Sequence, residues 1–391
     1  MISSAAWRAA LAPGGAKTAL SELLSARFGS DDVRLTASGT EALQMALTEA
    51  GARAASKGRP VALPAYTCYD VASAAVGAHL PVTFYDIDPR SLCPDLEGIR
   101  RCLSAGAGIL VANSLFGFPL DWDALREECD AAGAILIEDC AQGIGSTWRG
   151  RAGGSFGDMT VLSFGRGKGW TGGGGGALLV RSGAKAASGD RWASTESDLG
   201  PAGAGAGPRA LSACLAQWAM GRPSLFWLPA SLPGLNLGET HYRAPTPPHR
   251  MDAFAAASVL GHESLARAEV ETRRLNGRRW GQELSGLFAD PVGWFAPTPL
   301  HDGTCGYLRY PVVVRSPAVA AALGGKRGRR AGIGRGYPTV LPELPALGPL
   351  IAGRPTAAGA SELAEGLFTL PTHGFVGAPD FRAGALLLQG R

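Results

Sequence analysis

The chain has 391 residues, 46% hydrophobic and 18% charged, so it has the apolar material for a sizeable core and is not a disordered chain. Lys plus Arg number 37 against 33 Asp plus Glu, and the net charge of +4 is too slight to make nucleic acid the expected partner. Seven cysteines with no C-x-x-C pair and no histidines at zinc spacing exclude a disulfide framework and a metal centre, and point to free thiols in a reducing cytoplasm.

In chain order, Met1–Gly15 carries one Arg in a broken apolar run and makes a poor secretory signal. Val33–Thr36 is strand-like and leads through Ser38-Gly39-Thr40 into a helical pattern over Glu41–Ala50. Short apolar runs follow at Val61–Pro64, Pro81–Tyr85, Gly108–Ala112, Ala134–Ile137, Met159–Phe164 and Ala177–Val180, with helical patterns at Asp95–Leu103 and Asp123–Ala131 between them. Strand and crossover helix in alternation predict a mostly parallel α/β sheet with helices on both faces. Ligands of such sheets bind at the carboxyl ends of the strands, so chemistry is expected just after the apolar runs.

Gly200–Pro208 reads as a flexible loop. Ala210–Leu237 is strongly apolar, but Arg222, Pro223, Pro229 and Pro233 interrupt it, so it suits a buried or interfacial segment, with membrane contact the lesser option, rather than a span. One long helix is expected over Met251–Leu284. A strand at Tyr310–Val314 and helices at Pro317–Leu323 and around Ala360–Phe368 then predict a small C-terminal α/β unit. The expected division is a large domain over residues 1–249, with an apolar insertion at about 208–237, and a linking helix plus small domain over 250–391.

Val161–Val180 sets Lys168 in a loop ending in five consecutive glycines, Gly172–Gly176. A phosphate-binding P-loop fails because position 162 is Leu and position 169 is Gly, and a dinucleotide fingerprint fails at Trp170. Two readings remain. One is a lysine that forms a Schiff base with pyridoxal phosphate, the glycines giving the ring access to backbone. The other is a glycine-rich hairpin with a solvated lysine.

Pyridoxal phosphate needs a carboxylate at its pyridine nitrogen to keep the ring an electron sink. Asp139, just past the run Ala134–Ile137, is the candidate, while the neighbouring Glu138 is expected to cap a helix or face water. Gln142 is one short turn further on, in reach of a ring oxygen. Ser38-Gly39-Thr40 opens an apolar helix as an anion site does, although an ordinary N-cap looks the same, and Ser163 offers a further hydroxyl.

Phosphate site, Asp-x-x-Gln and lysine loop, in that order, resemble the DegT/StrS family of nucleotide-sugar aminotransferases, of the fold-type-I, aspartate aminotransferase-like group. The matching pieces are Ser38–Leu43, Pro64–Cys68, Asp86–Pro89, Phe116-Gly117-x-Pro119, Glu138–Gln142, Gly157-Asp158, Ser163-Phe164-x-x-x-Lys168, Arg250-Met251, Gly332-Ile333, Tyr337-Pro338 and Leu370–His373. The resemblance implies pyridoxal 5'-phosphate held as an internal aldimine on Lys168, which also shuttles protons. It implies Asp139 at the pyridinium nitrogen, Gln142 at the ring oxygen, and Gly39, Thr40 and Ser163 at the phosphate. Arg250 stands where family members place a phosphate contact reaching in from a second subunit, implying a homodimer with shared sites. Cys68 stands where many members stack an aromatic side chain on the cofactor, leaving Tyr66, Tyr69 or a non-aromatic contact for that role. The implied reaction moves an amino group from an amino acid, glutamate by the family habit, to a nucleotide-linked keto sugar in polysaccharide or secondary-metabolite synthesis. The same fold could act on a lipid-linked or other non-sugar ketone or run a dehydration, and a non-catalytic cofactor-binding sensor or scaffold is the alternative of another class. The basic cluster from Lys326 to Arg335 reads as a solvated helix end in preference to a contact with the diphosphate of a nucleotide-linked substrate, and His373 as either a substrate contact or a structural residue.

Overall fold

The computed structural model describes residues 13–53, 56–181, 199–203, 205, 207–212, 241–287, 293–353 and 356–390. Most of the apolar segment 210–237, with Trp218, Phe226 and Trp227, therefore lies outside the described residues. Among the described residues no helix is long and apolar enough to cross a membrane.

The N-terminal half runs α1 (Pro13–Phe28), β1 (Asp32–Thr36), α2 (Gly39–Ala52), β2 (Val61–Pro64), α3 (Tyr69–Gly77), β3 (Val82–Tyr85), α4 (Leu96–Ser104), β4 (Ile109–Asn113), α5 (Trp122–Ala131), β5 (Ile135–Asp139), β6 (Met159–Ser163) and β7 (Gly176–Val180). Seven strands form one sheet in the order β1-β7-β6-β5-β4-β2-β3. Pairings from β3 through β6 are parallel, and β7 runs antiparallel to both of its neighbours, β6 and β1. This is the mostly parallel α/β sheet expected from the alternation of runs.

Local chemistry explains the elements. Strands β2, β4, β5 and β7 are buried along their whole length, as strands covered by helices on both faces are, and their sequences are apolar apart from the carboxyl ends of β4 and β5. Asp95 caps α4 by accepting from the N–H groups of Glu97 and Gly98, and Asp121 caps α5 through Ala124. The strands are short, so their carboxyl ends form a compact edge.

The C-terminal part contains α6 (Ala253–Gly261), α7 (Glu263–Ser285), β8 (Trp294–Phe295), β9 (Tyr310–Val314), α8 (Pro317–Gly324), β10 (Gly334–Arg335), α9 (Ala358–Gly366), β11 (Leu367–Leu370) and α10 (Ala378–Leu388). Its four strands pair antiparallel in the order β8-β9-β11-β10.

Three details differ from the sequence expectation. The long helix expected over Met251–Leu284 is two helices, because His262 leaves helical geometry (φ −99°, ψ 5°). The indole N–H of Trp170 takes the Val259 carbonyl at 2.8 Å, satisfying a carbonyl of the last turn of α6 and tying that helix to the lysine loop. The late helix ends at Gly366, and Leu367 and Phe368 pass into β11 to pair with β9. Helix α10 was not expected at all; Pro379 at its start and the Gly377 N–H bonded to Asp380 are the local signals.

Hydrophobic packing joins these parts. Leu20, Leu24, Leu162, Phe164, Trp170, Met251, Ala255 and Val259 form one buried cluster, so α6 packs with α1 and the lysine loop. Trp280, Val312, Phe368, Leu370 and Phe381 form another around the antiparallel sheet.

Candidate active site

The parallel register puts the chemistry on one edge. Strands β4, β5 and β6 end at Asn113, Asp139 and Ser163, and Asn113 is the register partner of Asp139. Beside them Ser163 pairs with Gly176, and Ser38 forms a bridge with Gly175. The loop carrying Lys168 leaves from Ser163 and returns at Gly176, across the same edge.

Asp139 is only 8% exposed. One carboxylate oxygen accepts the Ala141 N–H at 3.0 Å. Burial pushes this carboxyl above its ordinary range; the Ala141 N–H and the Lys168 ammonium pull it back, and the nearby Asp70 carboxylate pushes it up again. The Lys168 charge also acts on the Cys68 thiol, which burial raises to about 12. Lys168, Asp139 and Cys68 therefore share one electrostatic neighbourhood. Lys168 itself is half-buried. Its loop is anchored by buried Trp170, by the Thr171 hydroxyl donating to the Phe164 carbonyl at 3.1 Å, and by the Gly172 N–H on that same oxygen.

The glycine run has a packing cause that sequence reasoning did not supply. Side chains at 172 and 175 would run into Val259 and Met251, and one at 176 would lie 2.5 Å from the Ser38 carbonyl. Three of the five glycines thus let the loop close on α6 and on the entry to α2.

That entry is an anion cradle in form. The Ser38 hydroxyl accepts the Glu41 N–H at 3.2 Å and caps the helix, and the first N–H groups, at Gly39 and Thr40, have no intrahelical partner. A Cβ at Gly39 would stand 2.7 Å from the Ser163 Cβ and 2.9 Å from its Oγ. Only glycine brings the positive end of the helix dipole this close to the Ser163 hydroxyl. Arg250 lies on the flank of this cradle, bridged to Thr36 and bonded through its N–H to the Gly200 carbonyl at 2.9 Å. A cavity of about 750 Å³ opens on that flank, lined by Glu41, Arg166, Gly174, His249 and Asp252 among others; Lys168 and Asp139 do not line it.

Gln142 is held on both ends of its amide. Its Oε1 accepts the Phe116 N–H at 2.9 Å and its Nε2 donates to the Tyr337 hydroxyl at 2.7 Å. Cys68 sits at the start of α3 without capping it, its thiol 3.5 Å from an Asp70 carboxylate oxygen.

Glu138 overturns its expectation. It neither caps a helix nor meets water: it is 1% exposed, on the face of the sheet opposite Asp139, because alternate residues of a strand point to opposite faces. The loop over residues 154–157 folds onto it, and its carboxylate accepts from the N–H groups of Gly154, Phe156 and Gly157 and from the Thr160 hydroxyl. Arg181 closes the cluster on Thr160 and the Gly157 carbonyl.

Sequence reasoning passed over Asn113, and quoted Thr67 and Tyr337 without a role. The buried Asn113 amide donates to Thr67 Oγ1 at 2.6 Å while its Oδ1 has no hydrogen-bond partner. An Asn ending the apolar run Ile109–Asn113 is the signal that could have found it. Lys326, Arg327, Arg329 and Arg330 of the basic cluster lie on a short, mainly exposed helix, Lys326–Arg330, and Arg335 lies on β10. His373 accepts the Phe375 N–H on Nδ1, and burial beside Arg309 and Arg273 pushes its pKa down to about 4.

Comparison with known proteins shows what the chain is similar to. The model of the DegT/DnrJ/EryC1/StrS aminotransferase family matches residues 6–190. Over 146 residues the chain is 38% identical to an L-glutamine:2-deoxy-scyllo-inosose aminotransferase of Streptoalloteichus tenebrarius, covering 37% of this chain and 34% of that protein. It is 32% identical over 144 residues to the GDP-perosamine synthase of Vibrio cholerae, covering 37% and 38% of the two chains. The matched stretch thus spans between a third and two-fifths of the length of these relatives. Across its whole length the fold superposes on Spr1654 of Streptococcus pneumoniae, solved in its PLP form, with a TM-score of 0.73, 16% identity and coverage of 100% of this chain and 97% of that one.

Proposed function

We propose, from the premise that residues 6–190 belong to the DegT/DnrJ/EryC1/StrS aminotransferase family, that the whole chain is a pyridoxal-phosphate aminotransferase acting on a keto sugar or a closely related cyclic ketone. One observation carries the reading: a nearly fully buried carboxylate, Asp139, with a single backbone donor, held at a strand end in the field of Lys168. A buried acid so thinly compensated is costly unless a cation meets it, and a pyridinium ring is such a cation.

The residues fit the cofactor. Asp139 would hold the ring nitrogen, and the N–H groups of Gly39 and Thr40 with the Ser163 hydroxyl would hold the phosphate. Gln142 would donate its remaining N–H to the ring oxygen, and Cys68 would lie against the ring in place of an aromatic. The Lys168 amine would carry the cofactor through its aldehyde carbon. Bound there, pyridoxal phosphate supplies an electron sink and a temporary nitrogen store. The chain's own part is to move protons at Lys168 Nζ, to set the Asp139 carboxyl where the ring nitrogen would lie, and to close the site with buried backbone. The donor is an amino acid, glutamate by family habit; glutamine, named for the Streptoalloteichus relative, is the first alternative to assay. Arg250 on the cradle's flank supports a homodimer with shared sites, with Arg250 meeting the partner's phosphate. The six described cysteines are all free thiols, which supports a cytoplasmic setting.

Purified protein supplied with the cofactor should be yellow, and L-glutamate or L-glutamine should bleach the visible band toward the amine form. Lys168→Ala should abolish the covalent band and reduce turnover by about three orders of magnitude. A wild-type protein that stays colourless at saturating cofactor would overturn the reading. Bleaching by a donor with no acceptor turned over would favour the sensor or scaffold instead.

A further inference from the structure

The segment after β10 crosses from the C-terminal part to the large sheet and docks beside Cys68. Leu341 donates its N–H to the Ala65 carbonyl at 2.8 Å. The Tyr66 hydroxyl accepts the Tyr337 N–H at 2.9 Å, and the Tyr69 hydroxyl accepts the Thr339 N–H at 2.9 Å. The Tyr337 ring packs between them, 5.5 Å from Tyr66 and 6.0 Å from Tyr69 between centroids. Both tyrosines flanking Cys68 are thus committed to holding this segment. Neither is left to replace an aromatic at position 68.

The phenol delivered by this clasp meets the polar side of the site. Its oxygen accepts from Gln142 Nε2 at 2.7 Å, and burial raises its pKa with help from the nearby Cys68 thiol. The Gln142 amide cannot turn over, because its Oε1 must accept the Phe116 N–H. Phe116 has φ +53°, a strained backbone position that this bond helps to fix. One Nε2 proton therefore goes to Tyr337, and the direction of the other follows from it.

We infer that Tyr337 is a positioning residue of the cofactor site, orienting the Gln142 amide toward the ring oxygen and backing Cys68, so that the C-terminal part of the chain tunes the ring held by the N-terminal half. The inference rests on the proposed cofactor. It assigns a role to a residue far along the chain from every group that would touch the ring.

Tyr337→Phe in the full-length protein keeps the ring packing and removes only the hydroxyl. The expected result is a yellow protein whose pyridoxal phosphate dissociation constant rises about 3- to 10-fold, the worth of one hydrogen bond. The pH midpoint of its visible band should shift, and kcat should fall with the KM for the acceptor unchanged. Tyr69→Phe, which cuts the clasp without touching Gln142, should leave the pH midpoint where it is. In a Gln142→Ala background, Tyr337→Phe should add nothing further. Wild-type affinity and band midpoint in Tyr337→Phe, with the wild type yellow, would overturn the inference and leave the functional reading standing. Equal midpoint shifts in Tyr337→Phe and Tyr69→Phe would also overturn it, as a purely structural clasp. Should Tyr337→Phe not fold, the Tyr69→Phe and Gln142→Ala midpoints decide: a shift in the first, or none in the second, overturns it. A colourless wild type would remove both.

Discussion

On one face of β5, Glu138 receives three backbone N–H groups and the Thr160 hydroxyl, with Arg181 closing the same cluster. On the other face, Asp139 receives one backbone N–H and the distant pull of Lys168, beside an Asn113 whose Oδ1 has no partner. Burial raises both carboxyls, but only Glu138 is compensated by a ring of donors belonging to the fold. Adjacent residues on one strand thus differ in kind: a saturated polar cluster fastens a loop to the sheet, and an under-saturated one would, on the proposed reading, be completed by the cofactor.

The contrast breaks if the two acids behave alike. Glu138→Ala strands three buried N–H groups and a hydroxyl, and should cost about 3–5 kcal/mol in urea unfolding. A loss under about 1 kcal/mol would mean the loop over 154–157 holds without it. Asp139→Asn keeps an acceptor for the Ala141 N–H and should leave cofactor-free stability within about 1 kcal/mol of wild type or raise it. Its transamination rate should fall about 10²–10³-fold. Comparable turnover in the two proteins would end Asp139's claim to the ring nitrogen.

Gly39→Ala tests the cradle between these faces. Its new Cβ must push α2 away from Ser163, at about 1–3 kcal/mol of overpacking. Inorganic phosphate should then protect the variant from thermal unfolding less than it protects wild type. Equal protection would move the anion site elsewhere.

The smallest effect is a pH dependence. The Asp139 carboxyl is raised in the folded, cofactor-free protein, so the folded state keeps a proton that the unfolded state releases. Stability contributed by this group is therefore present at acid pH and lost as pH rises from the ordinary carboxylate range toward the raised value. Asp139→Asn lacks that proton. Its unfolding free energy relative to wild type should grow as pH rises through the window and stay flat below it. A difference that narrows with rising pH would show the carboxylate to be stabilised in the fold.

The alternation of apolar runs with amphipathic helices made the sheet legible, because side-chain periodicity and strand length are local properties. The same runs made Asp139, Ser163 and Lys168 conspicuous, since a polar residue just past a buried strand lands on the carboxyl edge whatever the strand order. Strand order and the reversal of β7 came from tertiary pairing, and so did the fate of Glu138. Its alternation on β5 sends it away from Asp139, yet only the loop folding over from 154–157 determined that it would be buried rather than wet. Likewise the glycines of the lysine loop were visible as a run, and their reasons, Val259, Met251 and Ser38, lie far away in the chain. Tyr337 reaches Gln142 across 195 positions. Periodicity and strand-end chemistry are written residue by residue and are legible before any folding; which distant groups saturate a buried polar atom depends on chain closure over long loops, and is legible only once the chain has folded.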